Sequence, residues 1–142
     1  MIFSAQQKFS ASQVVTADAG STNIIDLGAT GTPLKAPSAL VRDIGKGTPI
    51  PIVVQLDIAA TGTSPTLLVT LQMDNDVAFG SPTTVATAQS IAGGAAGQRV
   101  TLYWIPEGTI ERYIRLFYDV GGTSPSYQIT AGIVAADHTN EN

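Results

Sequence analysis

The stretch MDNDVAF, residues 73–79, sets Asp74, Asn75 and Asp76 side by side, three oxygen-bearing side chains of the kind calcium takes as ligands. The spacing lacks the glycine and the later glutamate of a hand-type calcium loop. Asp and Asn are also the residues favoured where a strand ends in a tight turn, so the stretch reads as a turn and not as a metal site. The single histidine, His138, stands in the polar tail DHTNEN with no serine or cysteine motif beside it, and reads as a solvated residue. Glu107 and Glu111 are the only glutamates outside that tail. Glycosidase chemistry needs one acid held in an apolar pocket, and PEGTIE reads as a turn. No glycine-rich loop leads from a strand into a helix to cradle phosphate. Trp104 with Tyr103, Tyr113, Tyr118 and Tyr127 would stack a sugar if coplanar and exposed, but on strands aromatics fill cores and protein interfaces. These residues predict no enzyme, no cofactor and no metal.

Composition narrows the classes further. Only 13% of the residues are charged and the net charge is -4, so no basic face is available to neutralise phosphates, which excludes a nucleic-acid binder. A weakly charged surface repels neighbours poorly and suits a protein that works packed against others. The chain has no cysteine, so disulfides and thiolate chemistry are excluded. Apolar runs are only a few residues long, far short of a membrane span. The start, MIFSAQQKFSASQ, lacks the basic opening and apolar core of a signal peptide, so the protein is expected to stay where it is made.

Any functional residue must be positioned by strands. Thr, Val and Ile are frequent, Gly and Pro fall between runs, and helical periodicity is confined to a turn or two within 4–13. Strands are expected at about 12–17, 22–27, 51–59, 66–74, 83–91, 98–105, 112–119 and 126–135, with a short extra one near Ala39 to Arg42. Alternation assigns faces. Leu67, Val69, Leu71 and Met73 share one side, as do Ile52, Val54, Leu56 and Ile58, and Tyr127, Ile129, Ala131 and Ile133. Around Arg112 both faces carry bulk, which predicts a central strand. Pro33, Pro37, Pro49 and Pro51 make 28–51 a long connection, and IAGGAAGQ at 91–98 a mobile one. The phrase GTSP occurs twice, at 62–65 and 122–125, each time between two expected strands, and is read as a hairpin connection in both places. The whole is expected to be an all-β fold: a two-sheet antiparallel sandwich, jelly-roll-like, of about eight strands. It forms one domain over 1–142, with an N-terminal arm at 1–11 and a flexible polar tail at 137–142.

Three stretches carry a resemblance. FSASQVVTADAGSTNIIDLG, TLLVTLQMDNDVAF and GQRVTLYWIPEGTIERYIRLFYDVGGTSPSYQITAGIVAAD resemble the small capsid cement, or head-decoration, proteins of short-tailed bacteriophages. Together they span most of the chain apart from the Pro-rich 29–51 segment, and their specificity lies in order and spacing. The resemblance implies a structural protein on the outer surface of the virion capsid, made in the cytoplasm of the bacterial host. Its implied partners are the major capsid protein and a second copy of itself, a dimer before a trimer, with no nucleic acid and no membrane. Candidate contact residues are then Ile2, Phe3 and Phe9 of the arm, which would otherwise cap an open end of the sandwich. Arg99, Arg112 and Arg115 would meet acidic capsid loops, Arg115 being equally placed for a structural ion pair. Val53 and Leu68, apolar on outward faces, suit a subunit contact. The competing readings are another virion part (tail, neck or fibre) and a carbohydrate-binding module.

Overall fold

The computed structural model describes residues 4–43 and 45–135. Nine strands follow one another among them: β1 (Lys8–Val15), β2 (Ala19–Gly20), β3 (Ile25–Asp26), β4 (Ile50–Leu56), β5 (Thr61–Asp74), β6 (Thr83–Thr87), β7 (Ile91–Ala92), β8 (Arg99–Trp104) and β9 (Tyr113–Ile133). All their pairings are antiparallel, and the one helical element among the described residues is a 3-10 turn, Ala5–Gln7.

Two sheets share β9. In the first, residues 127–133 of β9 lie between β1 and β4, with β8 outside β4. In the second, the first half of β9 lies between β5 and the short β2 and β3, with β6 and β7 outside β5. The core fills the space between them. Ile52, Val54, Leu56, Tyr127 and Ile129 of one sheet form a single buried cluster with Leu67, Val69, Leu71, Ile114 and Leu116 of the other. Each such apolar side chain contributes about 1.5–3 kcal/mol relative to exposure. The array is nearly closed: the Asn23 N–H donates to the Phe9 carbonyl at 2.9 Å, tying β1 to the β2–β3 segment, and β6 approaches β8 on the opposite side. Closure hides strand edges that would otherwise template aggregation.

The alternating faces are as expected in β5, where Leu67, Val69, Leu71 and Met73 all point inward. Ile58 departs from its expected face. β4 ends at Leu56, and the Asp57 carboxylate accepts hydrogen bonds from Ser12 Oγ (2.8 Å) and Thr130 Oγ1 (2.9 Å), leaving Ile58 half-exposed beyond the last pair. The described residues between Leu27 and Pro49 form an irregular connection, without the extra strand expected near Ala39. Residues 8–11 of the expected arm are paired in β1, while the tail at 137–142 lies outside the described residues.

The largest correction concerns GTSP. Neither copy is a hairpin connection. One lies inside β5, the other inside β9, and they pair with each other: Thr61 opposite Ser126, Thr63 opposite Thr123, Thr66 opposite Gly121. The register slips once and then slips back, so each strand carries a bulge opposite its partner's. Gly62 (φ +112°) and Gly122 (φ +103°) occupy matching positions, as do Ser64 (φ +50°) and Ser124 (φ +51°). A Cβ on Gly62 would stand 2.6 Å from the Ser124 carbonyl oxygen, and one on Gly122 would stand 2.6 Å from that of Ser64. The two prolines sit at bulges, where a missing N–H costs the ladder nothing. The paired bulges bend both strands where β9 passes from one sheet to the other.

Candidate interaction surface

Two of the predicted arginines, Arg112 just before β9 and Arg115 within it, have different environments. Arg112 forms a two-pronged ion pair with Asp26 of β3, Nε to Oδ1 at 2.8 Å and Nη2 to Oδ2 at 2.7 Å. The Arg112 hydrogen bonds, followed by that from the Gly28 N–H, hold the Asp26 carboxyl down at about 2. Arg115 has no such carboxylate among the described residues. Its Nε donates to Gln72 Oε1 at 3.0 Å, and its guanidinium lies over the Phe79 ring at 4.2 Å and faces Phe117 at 5.6 Å. A Cβ on Gly20 would sit 3.2 Å from Arg115 Nη1, so this glycine leaves room for the guanidinium to lie flat on the sheet. Burial lowers the Arg115 pKa, and the Asp74 charge opposes that shift. The structural ion pair expected at Arg115 is thus made by Arg112, and Arg115 is stacked.

The acidic stretch Asp74–Asn75–Asp76 is a turn held by its own side chains. Asp74 accepts from the Asp76 N–H (Oδ1, 2.9 Å) and the Ser81 N–H (Oδ2, 3.0 Å), which lower its pKa. Asp76 Oδ1 accepts from the Ala78 N–H at 2.9 Å, and Asn75 Oδ1 accepts from the Arg112 N–H at 3.1 Å. These oxygens point at backbone donors, the arrangement of consecutive Asx turns. Phe79, at φ +53°, is held at the end of this turn under Arg115.

A second surface lies at the base of the Pro-rich connection. Arg42 reaches back to close its loop: Nη1 donates to the Leu27 carbonyl at 3.1 Å and Nη2 to that of Gly28 at 2.5 Å. Its Nε is buried without a hydrogen-bond partner among the described residues. Asp43 Oδ2 accepts from the Gly108 N–H at 3.0 Å, fastening the loop to the 105–111 turn. Between them is a cleft of about 200 Å³ lined by Leu27, Arg42, Trp104, Pro106 and Thr109. Trp104 itself is buried, with Nε1 donating to Thr109 Oγ1 at 3.0 Å. Outside the cleft the apolar side chains face solvent: Leu34 is 93% exposed and Val41 72%, with Leu40, Ile105 and Ile110 at about half or more. Another cleft, of about 370 Å³, opens between β7 and β8 and is lined largely by polar side chains, among them Gln89, Ser90 and Gln98.

The predicted contact residues do not form one patch. Ile2 and Phe3 lie outside the described residues. Phe9 is fully buried in the core, because β1 runs in the sheet from Lys8 onward, so its side chain offers no surface to a partner. Val53 is also fully buried: the chain itself covers the outward face of β4 there, which removes it as a subunit contact. Leu68 is half-buried on β5, and Arg99 is partly covered on β8. Of the five aromatics considered as a sugar platform, Trp104, Tyr118 and Tyr127 are core residues. Sequence reasoning missed Leu34, Leu40, Val41, Ile105 and Ile110. The available signal was apolar residues within proline-bounded, non-alternating segments, where no strand exists to turn them inward.

Comparison with curated proteins returns no match. The model of the Bbp16 family matches residues 9–137, which runs from Phe9 of β1 to beyond the end of β9 and takes in both sheets and both surfaces described above. The chain therefore belongs to the Bbp16 family.

Proposed function

We propose that this protein is a structural component of a phage virion that binds the outer surface of the capsid and stabilises the lattice of the major capsid protein. The observation that carries the reading is the division of labour among surface residues. Ionisable groups on the β5–β9 sheet are engaged in holding the fold, Asp26 with Arg112 and Asp74 with its own turn. Five of the ten exposed large apolar side chains among the described residues, Leu34, Leu40, Val41, Ile105 and Ile110, lie on one clamped loop and the turn fastened to it. Such a surface suits a protein partner. The name of the family points to a phage-related protein, and the resemblance to capsid cement proteins runs along most of the chain. Binding only to the assembled lattice would stabilise it by mass action, with weak contacts adding up over many sites. Self-association, as a dimer, is part of the proposal.

The test is direct. Capsids stripped of the protein, incubated with it at micromolar concentration, should carry it down in sedimentation and resist heat disruption better than bare shells. Absence of binding under those conditions would sink the reading, and binding to isolated tails would move the protein elsewhere in the virion.

A further inference from the structure

Arg115 stands apart from the ionisable groups around it. Its Nε is held by Gln72 Oε1 at 3.0 Å and its plane lies over Phe79, but neither Nη has a hydrogen-bond acceptor among the described residues, and both reach solvent. The nearby carboxylates are engaged elsewhere. Asp74, whose charge Arg115 feels, turns its two oxygens to the Asp76 and Ser81 N–H groups, and Asp26 is taken by Arg112. The surroundings on the outer face of the sheet are uncharged. With Leu71 and Met73 inward, Thr70 and Gln72 of β5 point outward, Gln72 opposite Arg115 and Thr70 opposite Phe117. On the far side of β5, Thr84 stands opposite Gln72 and Thr87 opposite Thr70.

One tethered cation is thus set in a sheet face of threonine, glutamine and phenylalanine. A guanidinium already stacked and hydrogen-bonded loses little freedom on binding, and its two remaining prongs match the two oxygens of a carboxylate. Partly withdrawn from water and without a paired anion, the charge gains by meeting one. The two clefts described above are lined by other residues, so Arg115 presents an open face of the kind a protein covers and not a pocket for a small molecule. We propose that the outer face of the β5–β9 sheet is a docking surface for the capsid protein, on which Arg115 receives an acidic side chain in a two-pronged ion pair. The inference deepens the proposed function and rests on it for the identity of the partner. Arg115 is then an anchor at the centre of the contact, and the threonines and Phe117 around it exclude water from the pair.

Co-sedimentation of the full chain with stripped capsids, over a range of salt, tests the inference. Gln72→Glu is the decisive variant. It puts a carboxylate where Gln72 Oε1 already meets Arg115 Nε, so the guanidinium is neutralised from within its own sheet. The thermal melt should be unchanged or raised, while affinity for capsids falls roughly tenfold and becomes less sensitive to salt. Arg115→Lys keeps the charge but loses the planar fork, and should also bind more weakly. Unchanged affinity in both variants overturns the inference and leaves capsid binding standing. A melt lowered by Gln72→Glu overturns it too, since the guanidinium would then refuse a carboxylate. Failure of the unaltered protein to bind capsids overturns the proposed function and, with its partner, this surface. If Gln72→Glu binds capsids normally but loses affinity for an acidic polysaccharide such as alginate, Arg115 serves an acidic sugar and the inference fails.

Discussion

Tyr118 and Tyr127 are both fully buried on β9, but their hydroxyls have different fates. Ser10 Oγ donates its one hydrogen to Gln13 Oε1 at 2.7 Å, so in its 2.7 Å contact with Tyr118 the tyrosine must be the donor. Burial raises the Tyr118 pKa, keeping that proton in place. The Tyr127 hydroxyl is buried with no partner among the described residues. Tyr118→Phe should therefore cost about 1 kcal/mol in urea denaturation, whereas Tyr127→Phe should be neutral or stabilising. Equal losses in the two variants would contradict this distinction. Asp26 gives a pH-dependent counterpart. Its carboxyl titrates at about 2 in the fold, below the ordinary 3.8, because Arg112 and the Gly28 N–H bind the charged form. A depressed folded value means the contribution is present above pH 3.8 and is lost as pH falls toward 2. Asp26→Asn should accordingly lower stability at neutral pH and flatten the acid limb of the stability curve. An acid limb unchanged in the variant would show that the pair contributes nothing.

At the scale of elements, what the sequence disclosed was local. The period-two pattern of Leu67, Val69, Leu71 and Met73 fixes a face from side-chain type alone, and Pro33, Pro37 and Pro49 mark the irregular connection before β4, although Pro51 stands inside the β4–β8 ladder opposite Tyr103. What stayed hidden depends on distant partners. Gly-Thr-Ser-Pro has the same local chemistry in a turn as in a bulge, and only the pairing of copies sixty positions apart decides between them. Phe9 has the same ambiguity: FSAS gives too short an alternation to tell an arm from a strand until β9 is there to receive it. The candidate surface was illegible for a related reason, since the bonds of Arg42 and Asp43 join loops that no pattern connects. The mutual arrangement of the two GTSP copies makes a symmetric prediction. Gly62→Ala and Gly122→Ala each force an L residue to a positive φ and into a carbonyl of the other copy, at a cost of about 1–3 kcal/mol or more. The two losses should be similar, and the double variant should cost less than their sum because both relieve strain by moving the same strand pair. Strongly unequal single losses in denaturant melts would mean that the two bulges are not equivalent.

Taken as a whole molecule, the fold is governed by β9, which is central in both sheets and pairs with strands from the N-terminal end and from the middle of the chain. Lys8 is opposite Gly132, and Asp74 is opposite Tyr113. Contacts this far apart in sequence bring loop-closure costs before any reward, which predicts slow folding without stable fragments. Because the core cluster draws on both sheets and one strand threads them, neither sheet has a hydrophobic face to bury alone. Native-state hydrogen exchange should therefore find the slowest amides of β4 and those of β5 opening with the same free energy, and falling together as denaturant is added. A sheet that exchanges at lower free energy than the other would show that the GTSP crossing is a seam between two units. A single unit has a consequence for the proposed role. Any partner bound at the 29–43 loop, although it touches neither sheet's core, would raise the protection of every slow amide by the same amount, since the binding free energy adds to one global transition. Exchange measured with and without stripped capsids would read this out, and protection confined to the loop and the 105–111 turn would show that the two are not coupled to the core.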